Sequence, residues 1–272
     1  MRLPINNRAV ARRHFDLCVP LEFERALSEV THCVPTSATV FFREMHHFQF
    51  LAQTVVSDLR AGASIGRAKH VRIWSAACST GEEPYSIAIS LLEAFGDAAS
   101  SQPICYQPGG WRIQVIASDS DRTTLAAAME RIYQEESLRE APAQVKERYF
   151  LRGRGNMAGR VRVKQGVAEL VHFQPFHLQD SHWPIEGPFD VIFFRDTLGV
   201  LPRTARERIL REMLCYLVPH GYLILGSSEQ VPWLKDAVVS LGKGVHQLRP
   251  RGKAKYTGNE RRNHPRKVRS FE

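Results

Sequence analysis

Four short apolar runs, "HVRIWSAA", "RIQVIASD", "FDVIFF" and "YLILGS", recur along the chain, and amphipathic stretches such as "EPYSIAISLLEAF" and "RTARERILREMLCYL" stand between them. Runs without a polar side have no face to offer water, so each reads as a strand covered on both faces. The intervening helices are the cover, and strands joined through helices run parallel. The expected fold is α/β: a doubly wound, mostly parallel sheet whose ligand belongs in the crevice at the carboxyl ends of the strands. A length of 272 residues suits one such domain with small attachments.

Two regions break the alternation. To about Leu59 the chain reads as helical, with apolar residues at helical spacing in "EFERALSEVTHCV" and "REMHHFQFLAQTVVSDLRA". In "RYFLRGRGNMAGRVRVKQGVAELVHF", Gly153, Gly155 and Gly159 fall in a turn-like stretch, after which Val161 and Val163 alternate with Arg160, Arg162 and Lys164. A period of two marks a half-buried antiparallel strand with a basic outer face, read as a small β insertion on the main sheet at about 148–170. The division that follows is a helical segment at 1–60, the α/β domain at 61–248 and a tail at 249–272.

Net charge is +9, and the tail holds nine Lys or Arg against two Glu. So basic a stretch with few apolar residues reads as disordered, either an electrostatic handle for an acidic partner or a solvated terminus. The five cysteines, Cys18, Cys33, Cys78, Cys105 and Cys215, show no CxxC pair or zinc-like spacing and read as reduced thiols. No apolar run reaches the roughly 18 residues of a membrane span, and the N-terminus lacks a secretion signal, so the expected place is the cytoplasm without membrane insertion. No metal site is expected, because His46 and His47 are adjacent and on a helix point about 100° apart.

The junction "SAACSTGEEPYSIAIS", Ser75 to Ser90, carries the most chemistry. A strand, a tight turn and a helix start often hold phosphates, yet such loops are rich in glycine and often bear a lysine. Here one glycine is followed by Glu82 and Glu83, which would repel a phosphate. Asp119 stands at the end of the second strand, where an acid hydrogen-bonds ribose hydroxyls. Together these residues suit a nucleoside that is cationic and unphosphorylated, and S-adenosylmethionine is the candidate. Taken alone, Glu82 and Glu83 have a second reading as charges complementing the helix dipole.

Over roughly Thr36 to Leu248 the chain resembles the chemotaxis receptor methyltransferases, the CheR family. The stretches that carry the likeness are "SATVFFREMHHF", "IWSAACSTGEEPYSIAI", "VIASDSD", "RYFLRGRGNMAGRVRV", "FDVIFFRD" and "PHGYLILGSSE", in that order. The resemblance implies a sheet of the S-adenosylmethionine-dependent methyltransferase type. It also implies methylation of glutamate side chains on chemoreceptors, with S-adenosylhomocysteine as the product. By similarity, Ser37, Thr39, Arg43, Glu83, Asp119, His177, Leu178, Arg195 and Asp196 line the cofactor site, and Arg43 orients the substrate carboxylate. Arg43 has a structural alternative, an ion pair with Glu44 or another helix acid. Arg152, Gly153, Gly155, Gly159 and Arg162 match the family pattern that tethers a receptor's C-terminal peptide.

Some positions depart from that pattern. Ser37 and His177 stand where the family has asparagine, Asp196 where an Arg-Asn pair ends in an amide, and Val200 in place of a tyrosine. Asn to Asp removes a donor and adds a negative charge. Only 36 residues precede Ser37, so the N-terminal helical segment is shortened relative to the family's receptor-docking domain. These departures leave a second expectation beside the enzyme: a weakly active or non-catalytic module that keeps cofactor or receptor-tail binding. The chain is expected to act as a monomer. A nucleic-acid substrate is not expected, since the body shows no interleaved aromatic and basic residues.

Overall fold

The computed structural model describes residues 39–96 and 110–249. Ser37, the first part of the N-terminal segment, Cys18, Cys33, Cys105 and the tail beyond Arg249 lie outside the described residues. The strands are β1 (His70–Ala76), β2 (Arg112–Asp119), β3 (Ile132–Gln134), β4 (Phe150–Arg152), β5 (Arg160–Val163), β6 (Val171–Pro175), β7 (Phe189–Phe193), β8 (Leu217–Ile224), β9 (Val238–Gly242) and β10 (Val245–Leu248). Seven of them form one sheet in the order β6-β2-β1-β7-β8-β10-β9. Pairing is parallel from β6 through β8 and antiparallel in the last two contacts.

Alternation along the central strands builds a core on each face. Ile73 pairs in register with Val115 and Val191, and all three join one apolar cluster. Trp74 pairs with Ile116 and Ile192, and these join the other. Helices cover both sides. The first helical region runs as α1 (Met45–Phe50), a π-helical turn Leu51–Val55 and α2 (Val56–Ser64), and α3 spans Glu82–Phe95. Phe48, Leu51, Val55 and Leu59 pack with Ile87 and Leu91 of α3 in the Ile73 cluster. Against Trp74 lie Ile209, Leu210 and Met213 of the helix Arg203–Cys215. Trp74 is fully buried and its indole N–H donates to Ser118 Oγ at 2.9 Å, which makes it a core residue.

Two local features differ from the sequence reading. The basic insertion is a sheet of its own, ordered β3-β5-β4, rather than an addition to the main sheet. Val161 and Val163 turn inward while Arg160 and Arg162 face solvent, as the alternation requires. Its remaining strand, β3, begins inside "DRTTLAAAMERIY", a stretch whose apolar spacing reads as one helix. That helix, α4 (Arg122–Glu130), stops where Arg131 turns left-handed at φ 63°, and the Arg131 carbonyl accepts Val163 N–H. The hairpin of β9 and β10, absent from the sequence reading, turns through Gly242, Lys243 and Gly244 at φ 91°, 49° and 78°. Gly244 is required there, since a Cβ would lie 2.3 Å from the Leu225 carbonyl oxygen. Among the described residues no helix is long and apolar enough to cross a membrane.

Candidate active site

Strand order reverses at β1, which has β2 on one side and β7 on the other. A crevice therefore opens at the carboxyl ends of these strands. The bend after β1 is held in a costly conformation: Ala77, Ser79 and Gly81 have φ of 57°, 50° and 92°. Non-glycine residues in that region cost of order 1 kcal/mol or more and need their surroundings to hold them. Asp119 supplies the hold, accepting Ser79 N–H at 2.8 Å and Asp121 N–H at 3.0 Å. Tyr133 Oη, from the small sheet, donates to the Thr80 carbonyl at 2.8 Å. Gly81 has no room for a side chain, because a Cβ would sit 2.8 Å from Ala128 Cβ.

Beside the bend lies a buried cation with two acids. The Arg195 side chain is 4 % exposed, and its guanidinium reaches Glu44 Oε2 at 2.7 Å and Glu83 Oε2 at 3.2 Å. Glu83 Oε1 also accepts from Ser75 Oγ, and Glu44 Oε1 from Ser227 N–H. Burial pushes the Glu83 carboxyl above the usual carboxylate range, against the pull of Arg195. At Glu44 burial acts in the same upward sense, but the bonds from Ser227 and Arg195 win and hold it down to about 2. Glu82 is raised by burial and sits at the end of a hydroxyl chain in which Thr39 donates to Thr80 and Thr80 to Glu82 Oε2.

The cationic position at the mouth is already engaged. Arg43 Nη1 lies 3.3 Å from Asp196 Oδ2, with the two side chains 36 % and 39 % exposed. Glu44, the acid next in sequence, serves Arg195 instead. Asp196 is itself left-handed at φ 57°, and Glu229 clamps the turn by accepting N–H groups from Asp196, Leu198 and Gly226. His177 lines a cleft of about 380 Å³ at the ends of β2 and β6, with Ser120, Arg122, Phe176 and Asp180 among its walls. Leu178 packs against the Trp74 cluster. Val200 is exposed.

On the small sheet, Arg152 is largely exposed and stands 3.6 Å from Glu135, while Arg162 on the central strand pairs with Leu151 and Ile132. Leu151 is exposed, so a cation and an apolar side chain share that surface. Gly153 is forced by space, since a Cβ would overlap the Met157 carbonyl, and Gly155 and Gly159 turn at positive φ.

The family model described as "CheR methyltransferase, SAM binding domain" matches residues 37–244. The chain belongs to the CheR methyltransferase family. It is 38% identical over 215 residues to chemotaxis protein methyltransferase 2 of Pseudomonas aeruginosa, covering 79% of this chain and 71% of that protein. It is 39% identical over 213 residues to the chemotaxis protein methyltransferase of Escherichia coli K12, covering 78% and 68% respectively. This CheR chain is thus a methyltransferase, with S-adenosylmethionine as its cofactor.

The residues present fit that cofactor. Asp119 gives one lone pair per oxygen to backbone N–H groups and keeps capacity for hydroxyl donors. Glu82 and Glu83 begin α3 where a phosphate would need open N–H groups. Sequence reasoning missed the supports: Ser75, Thr80, Ser227 and Glu229 hold the acids or the turns, and only contacts across strand ends reveal them.

Glu44, His46 and His47 each offer a ligand atom within 4.8 Å of the others, closer than adjacent helical positions suggested. The left-handed Glu44 starts the helix at this point, and its Oε2 lies 3.7 Å from His47 Nδ1. The Arg195 guanidinium on the same carboxylate already supplies the positive charge there. His47 is fully buried, donates through Nε2 to the Lys243 carbonyl at 2.7 Å, and burial holds its imidazole down to about 4. The unfolded chain binds this proton near the ordinary value of about 6.5. Stability from His47 is therefore complete above pH 6.5 and lost as pH falls toward 4, by about 3 kcal/mol. His70, His172 and His246, also lowered by burial, act in the same sense. Urea unfolding at stepped pH is expected to show this slope, flattened by one proton in His47→Gln.

Proposed function

We propose that the chain transfers the methyl group of S-adenosylmethionine to glutamate side chains of a chemoreceptor in the cytoplasm, leaving a methyl ester. The observation that carries this reading is Arg43, a half-exposed guanidinium at the mouth of the crevice that already holds a carboxylate. In the proposal Asp119 accepts the ribose hydroxyls, Glu83 faces the methionine part, and Thr39, His177, Leu178, Arg195 and Asp196 complete the walls. When bound, the cofactor supplies a methyl group activated by its sulfonium. A substrate glutamate is ionised at neutral pH, so no side chain needs to act as a strong base. The protein's work is to bring the carboxylate into line and keep water away, and positioning of this kind supplies up to about 7–11 kcal/mol.

Arg43 is the orienting cation in this scheme, and its fork suits a carboxylate. The surface formed by Arg152, Gly153, Gly155, Gly159 and Arg162 holds the receptor's C-terminal tail, with Leu151 as an apolar contact. The catalytic reading is preferred to the non-catalytic module because the cofactor domain is matched along its length.

Incubation with methyl-labelled cofactor and receptor-bearing membranes is expected to give base-labile label on the receptor. No such label would remove the reading. Asp196 competes with the substrate for Arg43, so Asp196→Asn is expected to lower KM for the receptor roughly two- to fivefold, the range of an exposed ion pair. Steady-state kinetics checks this.

A further inference from the structure

A second cleft, of about 480 Å³, lies between the loop after β8 and the β9–β10 hairpin. Its walls include Lys235, Lys243, Arg249 and His246, together with Ser227 and Glu229. His246 is 7 % exposed, and neither ring nitrogen has a hydrogen-bond partner among the described residues. A buried imidazole without partners is uncommon and calls for an explanation. Lys235 and Lys243 make no ion pair among the described residues, and Arg249 spends Nε on the carbonyls of Lys235 and Val238. Glu229, the acid in this wall, is consumed by three backbone N–H groups. The cleft therefore has a surplus of donors and positive charge, and the ligand that balances it is an anion.

Its position narrows the choice of anion. Ser227 lines the cleft and donates its N–H to Glu44, while Glu229 lines it and fixes the turn of Asp196. The cleft thus shares a wall with the crevice where a substrate carboxylate is to meet Arg43. Val231 and Pro232 add an apolar side, which suits the aliphatic stem of an acidic side chain better than a bare inorganic ion. We infer that this cleft is a carboxylate-binding subsite that takes an acidic side chain flanking the glutamate to be methylated in the substrate protein. The inference rests on the proposed receptor substrate, and it assigns the chain a preference for acidic sequence around the target.

The test uses the full chain and two fluorescein-labelled synthetic helical peptides with one central glutamate, flanked by glutamates in one and by glutamines in the other. Anisotropy is expected to show the wild type binding the acidic peptide about tenfold more tightly, and Lys235→Gln/Lys243→Gln losing that preference. Calorimetry with S-adenosylmethionine checks that the double variant is folded, since neither side chain is part of the cofactor site. A preference unchanged in the double variant overturns the inference. So does a wild type that shows no preference, including one in which succinate or inorganic phosphate alone raises the melting temperature and the double variant abolishes that effect, for then the anion is a free small molecule. Peptide binding is read without turnover. Acidic preference without methyl transfer would support the subsite and sink the proposed activity.

Discussion

Replacing Arg195 with leucine is expected to lower the unfolding free energy by about 3–5 kcal/mol, the usual cost of removing one partner from a buried ion pair. The guanidinium is almost wholly buried and serves Glu44, Glu83 and the Arg43 carbonyl at once. Without it two carboxylates face each other in a place already poor in water. Glu83, raised by burial even with Arg195 present, would protonate more readily still, and Glu44 would lose one of the bonds that hold it near 2. Urea denaturation near neutral pH measures the loss. The double change Arg195→Leu with Glu44→Gln should recover part of it, because one of the two stranded charges is gone. An Arg211→Leu variant makes the contrast. Arg211 also bridges two acids, Glu207 and Asp236, but on the surface, and no measurable change is expected there. A loss at Arg195 no larger than at Arg211 would mean that the buried triad is not what holds the bend against β7.

The parallel sheet was legible because burial on both faces leaves no alternative reading for "RIWSAA" or "FDVIFF", and the helices between them fix its direction. The acids at the strand ends were legible too, as residue types in the wrong place for a phosphate. What the sequence did not show is how those acids are neutralised. Glu83 reads as a free carboxylate awaiting a cation, whereas its partner Arg195 arrives from 112 residues away. Arg43 reads as an orienting cation whose structural alternative is a pair with Glu44 or another helix acid, yet the left-handed turn at Glu44 sends that side chain to Arg195 and leaves Arg43 to Asp196, which is not on a helix. The third strand of the small sheet was hidden for a related reason. "RIY" continues a helical pattern, and only the contacts of Tyr133 with Thr80 and of Arg131 with Val163 favour ending the helix. The β9–β10 hairpin is short and polar on one side, and its signal was the pair of glycines around Lys243.

Asp119→Asn is the substitution expected to cost most in cofactor binding. Both carboxylate oxygens accept backbone N–H groups, one of them from Ser79 in its left-handed bend. Asparagine keeps one of these acceptors and turns an amide donor toward the other N–H. The stranded N–H costs roughly 1–3 kcal/mol, and the bend loses a clamp on a conformation it does not favour. The acceptor capacity assigned to ribose hydroxyls goes as well, so the affinity for S-adenosylmethionine should fall about 10- to 100-fold or more. A general loss of stability could imitate this, and Asp121→Ala separates the two. Asp121 caps α4 by accepting Thr123 N–H at 2.8 Å, and losing a cap costs about 1 kcal/mol of stability without touching the bend. Calorimetry should therefore find Asp121→Ala binding the cofactor like the parent and Asp119→Asn binding it poorly. Equal affinity in the Asp119 variant and the parent would place the ribose elsewhere, because no hydroxyl can be shared with a carboxylate that is no longer there.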